Sequence, residues 1–113
     1  MDVPLRSDVD HVVLEIYAKS DGPTYFRIDP GQGAAPALFD SRYFDITSAE
    51  MPRCWSLRAT NHGSLFIGPS AWGSAGFWED YFDGKSQART EYERWKAVII
   101  EDSTGTEPFP SSL

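Results

Sequence analysis

A chain of 113 residues with 41% apolar side chains, including four Trp, five Tyr and seven Phe, fits one domain with an aromatic-rich core. The formal charge of −7, from 17 acidic against 10 basic residues, disfavours nucleic acid and anionic membrane as partners, since both call for clustered Lys and Arg. The lone cysteine excludes an internal disulfide, and no apolar run approaches the ~20 residues a membrane helix needs.

Residues 1–9 read as a loose lead-in. Met1–Arg6 shows no basic region followed by an apolar one, and a free thiol suits a reducing compartment, so the expected location is the cytoplasm. From Asp10 the pattern alternates. Val12, Leu14, Ile16 and Ala18 share one face, while His11, Val13, Glu15, Tyr17 and Lys19 share the other, as in a half-buried strand. Ser20-Asp21-Gly22-Pro23 turns the chain, and Thr24–Asp29 continues with Phe26 and Ile28 inward to complete a hairpin. Pro30–Pro36 is a loop. Its Gly31 and Gly33 lack the third glycine and the following helix of a nucleotide-binding turn.

A short strand is expected near 42–46, followed by a helical turn or loop at 48–52, where Pro52 disfavours helix at Met51. Trp55, Leu57 and Ala59 mark the next strand. Asn61-His62-Gly63 turns it, and Leu65 and Ile67 mark its return. After Pro69 the period changes. Ser70 is placed to cap a turn through Trp72, and Ser74 to cap a helix from about 75 to Phe82 that Gly84 stops. A longer helix is expected from Ser86 to Glu101. It carries Ala88, Tyr92, Trp95 and Ile99 on one face, with Arg89–Glu93 and Glu93–Lys96 pairs outside. Residues 102–113 read as a flexible tail, leaving an ordered core of about 10–101. Strands followed by helices predict an α+β fold: an antiparallel sheet of four to six strands built from hairpins, with the C-terminal helices on one face. The faces Val12/Leu14/Ile16, Phe26/Ile28, Trp55/Leu57 and Leu65/Ile67 are expected to meet Tyr92, Trp95 and Ile99.

No catalytic or cofactor constellation assembles. Cys54 and His62 are separated by an extended strand and lack a third group to orient the histidine, so they read as a small buried residue and a turn residue. Two histidines and one cysteine match no zinc spacing. A calcium loop centred on Gly84 would need Tyr81 and Thr90 as ligands, which are the wrong chemistry. A hydrolase using Glu79, Asp80 and Asp83 is the catalytic alternative, although carboxylates four apart on a helix are commonly a solvated face. The densest signal is Phe77-Trp78-Glu79-Asp80-Tyr81-Phe82-Asp83-Gly84. Phe77 and Tyr81 share one helical face and Trp78 and Phe82 another, so one pair is expected in the core and the other exposed or over the sheet edge. The expected partner-binding set is Trp72, Trp78, Glu79, Asp80, Tyr81 and Asp83: an aromatic anchor ringed by carboxylates, suited to a basic protein. No catalytic residue, metal or cofactor is expected. The protein is read as a monomer or weak homodimer, with a general protein-binding or assembly module as the alternative function.

The Trp55-Ser56-Leu57 strand, the Ser64-Leu65-Phe66-Ile67-Gly68-Pro69 strand and the Phe77-Trp78-Glu79-Asp80-Tyr81 segment, on a short acidic α+β domain, resemble the small bacterial immunity proteins of polymorphic toxin systems. The likeness covers about residues 10–101 in general character. It implies a protein that binds and blocks a toxin domain, often a nuclease or deaminase with a basic substrate groove, with carboxylates standing in for phosphates. No binding residue is carried over from the family.

Overall fold

The alternating run after Asp10 does build strands, yet it is broken in the middle. The computed structural model describes residues 2–6, 9–31, 33–48 and 50–104. Its first strand, β1 (Asp2–Arg6), pairs antiparallel with β2 (Val9–Val12) in a separate two-stranded ribbon. The expected lead-in is thereby corrected: β1 occupies most of it, because a strand beside β2 satisfies backbone groups that one strand alone leaves unpaired. The main sheet starts with β3 (Glu15–Ala18) and continues with β4 (Thr24–Ile28), β5 (Ala37–Asp40), β6 (Trp55–Ala59) and β7 (Leu65–Pro69). Its order is β5-β4-β3-β7-β6, antiparallel throughout.

One bulged residue accounts for the break. Glu15 is the register partner of Arg27, yet the Leu14 N–H also donates to the Arg27 carbonyl at 2.9 Å. Two residues therefore oppose one. An extra residue reverses which side chains point to which face. Val13, rather than Leu14, joins the face of Ile16, Phe26 and Ile28, and Leu14 goes with the helices.

Both faces of the sheet are used. Strands β5 and β6 lie on opposite edges, so residues 41–54 must cross one face. The crossing starts in a 3-10 turn (Ser41–Tyr43) whose N-cap, Asp40, accepts from the Arg42 N–H at 2.9 Å. This turn replaces the strand expected near 42–46, because the Asp40 side chain competes with the ladder for backbone donors. Phe44 then packs on Phe26 and Phe39, with ring centres 6.2 and 6.3 Å away. Buried Val13, Phe26 and Ile28 form a core cluster on this face, with Ile16, Phe39 and Trp55 around it. The expected meeting of every apolar strand face with the long helix is thus corrected.

The other face carries what the alternation assigned to solvent. Tyr17 stacks on Phe66 at 4.4 Å and on Tyr25 at 6.3 Å, with the Arg58 guanidinium 4.9 Å from the Phe66 ring. A 3-10 turn (Ser70–Gly73), α1 (Phe77–Phe82) and α2 (Ser86–Thr104) follow the sheet. Pro69 and Gly76 hold the N-cap positions expected for Ser70 and Ser74, and neither helix start has a side-chain cap bond. Gly76 has φ 77°, which glycine adopts without strain and which lets the chain enter α1 sharply. Gly84, at φ 83°, ends α1 as expected: its N–H reaches the Tyr81 carbonyl and the Lys85 N–H reaches that of Asp80, a Schellman closure. Helix α2 runs past the expected end at 101; residues 105–113 of the expected tail lie outside the described residues. No helix among the described residues is long and apolar enough to cross a membrane.

Candidate functional site

The site expected on α1 is divided by burial. Trp72 is 1% exposed and packs against Tyr92 at 5.2 Å, Trp78 at 5.5 Å and Phe77 at 6.4 Å. Phe77 and Tyr81 form the inner face of α1, with Tyr81 4.8 Å from Tyr92. As placed, Trp72 and Tyr81 are core residues and cannot serve as surface anchors. The physical reason is area: large rings in a small domain are worth most where they exclude most water. Trp78 is half-buried, and Phe82, which the expected set omitted, is 51% exposed. The i, i+4 spacing pairs Trp78 with Phe82 on one face of the helix without saying whether that face is the outer one.

The outer stripe of α1 is Glu79, Phe82 and Asp83. These side chains are exposed, and neither carboxylate has an ion-pair partner among the described residues. Asp80 is turned away from this stripe; it lies 3.5 Å from Lys85 Nζ and lines an open groove between the start of α2 and the preceding turn. Phe77, Ala71 and Ala88 also line that groove, together with Lys85 and Glu91.

Two polar knots, one buried and one half-buried, hold the helices in place. Under α1, Arg27 Nε donates to Glu15 Oε1 at 2.9 Å, with both side chains almost fully buried. The Arg27 guanidinium lies 3.7 Å from the centre of the Trp78 ring, so the helix rests on a cation. Burial pushes the Glu15 carboxyl above its ordinary value, despite the opposing pull of Arg27 and, further off, Arg58. Among the described residues the buried Trp78 Nε1 has no hydrogen-bond partner, though its N–H lies near enough to Glu15 to favour the ionised form. A Cβ at Gly68 would stand 2.9 Å from Glu15 Cγ, so the glycine leaves room for the buried Glu15 side chain. The sequence placed Glu15 on the solvent face; the bulge at Leu14 puts it under the helix.

The second knot ties α2 to the end of β4. Asp29 Oδ2 accepts from the Tyr92 hydroxyl at 2.7 Å and from Lys96 Nζ at 3.0 Å, while Oδ1 accepts from the Gly31 N–H at 2.9 Å. Burial alone would raise the Asp29 pKa; the three hydrogen bonds outweigh it and hold the carboxyl below its ordinary value. Burial and the facing Asp29 carboxylate push the Tyr92 phenol far up. At the other end of α2, Asp102 accepts from the Arg53 N–H at 2.6 Å. The expected Glu93–Lys96 pair is present at 3.8 Å, while Arg89 lies over the Tyr81 ring at 4.8 Å instead of meeting Glu93.

Cys54 is half-buried just before β6, and His62 is exposed in the turn at its far end. Burial raises the thiol pKa, which keeps it protonated, the opposite of what a nucleophilic cysteine needs. Among the described residues no group of three or more His, Cys, Asp or Glu side chains is placed to hold a metal ion. Comparison with known protein families, with characterised proteins and with solved structures finds no match to this chain.

Proposed function

We propose that this chain is a non-enzymatic binding protein that covers a basic protein surface through the outer stripe of α1, acting as an immunity protein does on a toxin domain. The observation that carries the reading is an exposed aromatic ring, Phe82, set between two carboxylates that no cation among the described residues neutralises. An apolar anchor flanked by free charge suits recognition of a cationic partner: the ring supplies area and the carboxylates supply steering. The knots at Arg27 and Asp29 support it by holding both helices, so little ordering is left for binding to supply. The net charge of −7 has the same sign as the stripe. The cytoplasm is the compartment in which such an inhibitor would protect its own cell.

The test is co-expression with the product of the neighbouring gene, scoring growth and co-purification. Restored growth together with a one-to-one complex is the expected result; a harmless neighbour that forms no complex removes the reading. Association with the toxin domain should slow as salt rises. The triple variant Glu79→Gln/Phe82→Ala/Asp83→Asn should lose protection while melting as the wild type does. Full protection by that variant would move the interface off α1.

A further inference from the structure

Strand β6 is the outermost strand on its side of the sheet, and among the described residues no strand pairs with its free edge. Ser56 to Ala59 are all exposed, whereas β5, at the opposite edge, is largely half-covered. The phase of the ladder fixes which backbone groups of β6 face outward. The Thr60 N–H donates to the Ser64 carbonyl at 2.8 Å, so Thr60 and Ser64 are a hydrogen-bonded pair. Along the antiparallel register the type alternates: Arg58/Phe66 and Ser56/Gly68 are hydrogen-bonded, while Ala59/Leu65, Leu57/Ile67 and Trp55/Pro69 are not. Pro69, which has no N–H, falls at a position that needs none. The N–H and C=O groups of Leu57 and Ala59, and the C=O of Trp55, therefore point out of the sheet. The Trp55 N–H is held by the Pro52 carbonyl at 3.2 Å.

We infer that this edge pairs antiparallel with β6 of a second copy, about a two-fold axis at Leu57. Leu57 of the two copies then exchange both N–H···O bonds, and the Ala59 N–H of each reaches the Trp55 carbonyl of the other. The register links Phe39, Phe26, Ile16, Ile67 and Leu57 in one apolar row across the five strands. On this axis the row continues into its own image, and Leu57, 65% exposed in the single chain, is covered by its counterpart. Charge selects the same axis. Arg58 stands opposite Ser56 of the second copy, while an axis one residue later would set arginine against arginine. Pairing of this length covers less than the roughly 1,200 Å² of the smaller stable interfaces, so the dimer is weak and concentration-dependent. Its residues are distinct from the α1 stripe, so either surface can fail without the other.

The test is sedimentation equilibrium of the whole chain from micromolar to millimolar concentration, with Leu57→Lys and Leu57→Glu beside the wild type. The wild type should pass from monomer to dimer. Each charged variant alone should remain monomeric, because its own charge faces it at a Cα separation of about 5.5 Å. An equimolar mixture of the two variants should regain the dimer, a signature that only a self-opposed position gives. A wild type that stays monomeric at millimolar concentration overturns the inference, as does a dimer that Leu57→Lys leaves intact. A mixture that fails to associate overturns the axis. Amide exchange in the wild type is an independent reading that needs no variant. Protection of the Leu57 and Ala59 amides should rise with concentration, while the Ser56 and Arg58 amides, bonded to β7, stay protected throughout. Concentration-independent exchange at Leu57 sinks the proposal.

Discussion

Replacing Arg27 by Met leaves the Glu15 carboxylate in the sheet with its close cation gone and only the more distant Arg58 remaining. The side chains of the pair are 7% and 2% exposed, so solvent does little to screen the loss. Breaking one partner out of such a pair costs about 3–5 kcal/mol. Part of that cost can be escaped by protonation, which makes it dependent on pH. Burial already holds the folded-state pKa of Glu15 above its ordinary 4.5, and removing Arg27 raises it further. A carboxyl with a raised folded pKa contributes stability that is fully present below 4.5 and lost as pH rises through the folded value. The Arg27→Met deficit should therefore be largest at mildly alkaline pH and shrink towards pH 4.5, at about 1.4 kcal/mol for each unit of pKa the substitution adds. The double variant Glu15→Gln/Arg27→Met removes both charges. It should cost only about 1–2 kcal/mol, chiefly the cation contact over Trp78, and Met can partly replace that contact. Urea unfolding followed by tryptophan fluorescence, at several pH values, gives all four free energies of the cycle. A deficit that does not vary with pH, or a double variant as unstable as the single, would refute the reasoning that the buried charge is what matters.

Tyr92→Phe removes a hydrogen bond to a carboxylate and should cost about 1.5–3 kcal/mol in urea unfolding. The Asp29 contribution is present above its ordinary 3.8 and lost as pH falls through the lower folded value, so this deficit should shrink in acid. Gly68→Ala and Gly73→Ala make a matched pair. At Gly68 the new methyl meets the packed Glu15 Cγ at 2.9 Å and should destabilise by about 1–3 kcal/mol. At Gly73 it meets Arg58 Nε at 2.6 Å, but that side chain is exposed and can swing away, so thermal melting should shift by no more than about 0.5 kcal/mol equivalent. Trp72→Ala should cost about 3–5 kcal/mol and Trp95→Ala clearly less, since Trp95 is half-buried; equal losses in chemical unfolding would contradict the assigned core.

The α+β arrangement was legible because its signals are local. A period of two marks β4, β6 and β7, and Ala88, Tyr92 and Ile99 recur at helical spacing and are indeed buried in α2. The stop at Gly84 and the turn at Gly63 were equally plain, because a left-handed backbone position favours glycine wherever the chain is going. Even the division of α1 into Phe77/Tyr81 and Trp78/Phe82 faces follows from spacing alone. Spacing does not say which face turns inward, and there the structure buries Trp72 and Tyr81 of the expected set and leaves Phe82, outside that set, exposed.

Composition and periodicity by themselves determined an acidic α+β chain with hairpins first and helices last, since each of those features depends on residues near one another in the chain. Only the tertiary structure decided which side of each strand faces which layer. The decisive event is the extra residue at Leu14, visible only once β3 is laid against β4. It sends Val13 under the 41–54 crossing and brings Glu15 beneath Trp78, so a residue that reads as solvated becomes half of a buried ion pair. The free edge of β6 has the same origin. A strand carries no local mark of being outermost, because that depends on where the crossing from β5 comes down.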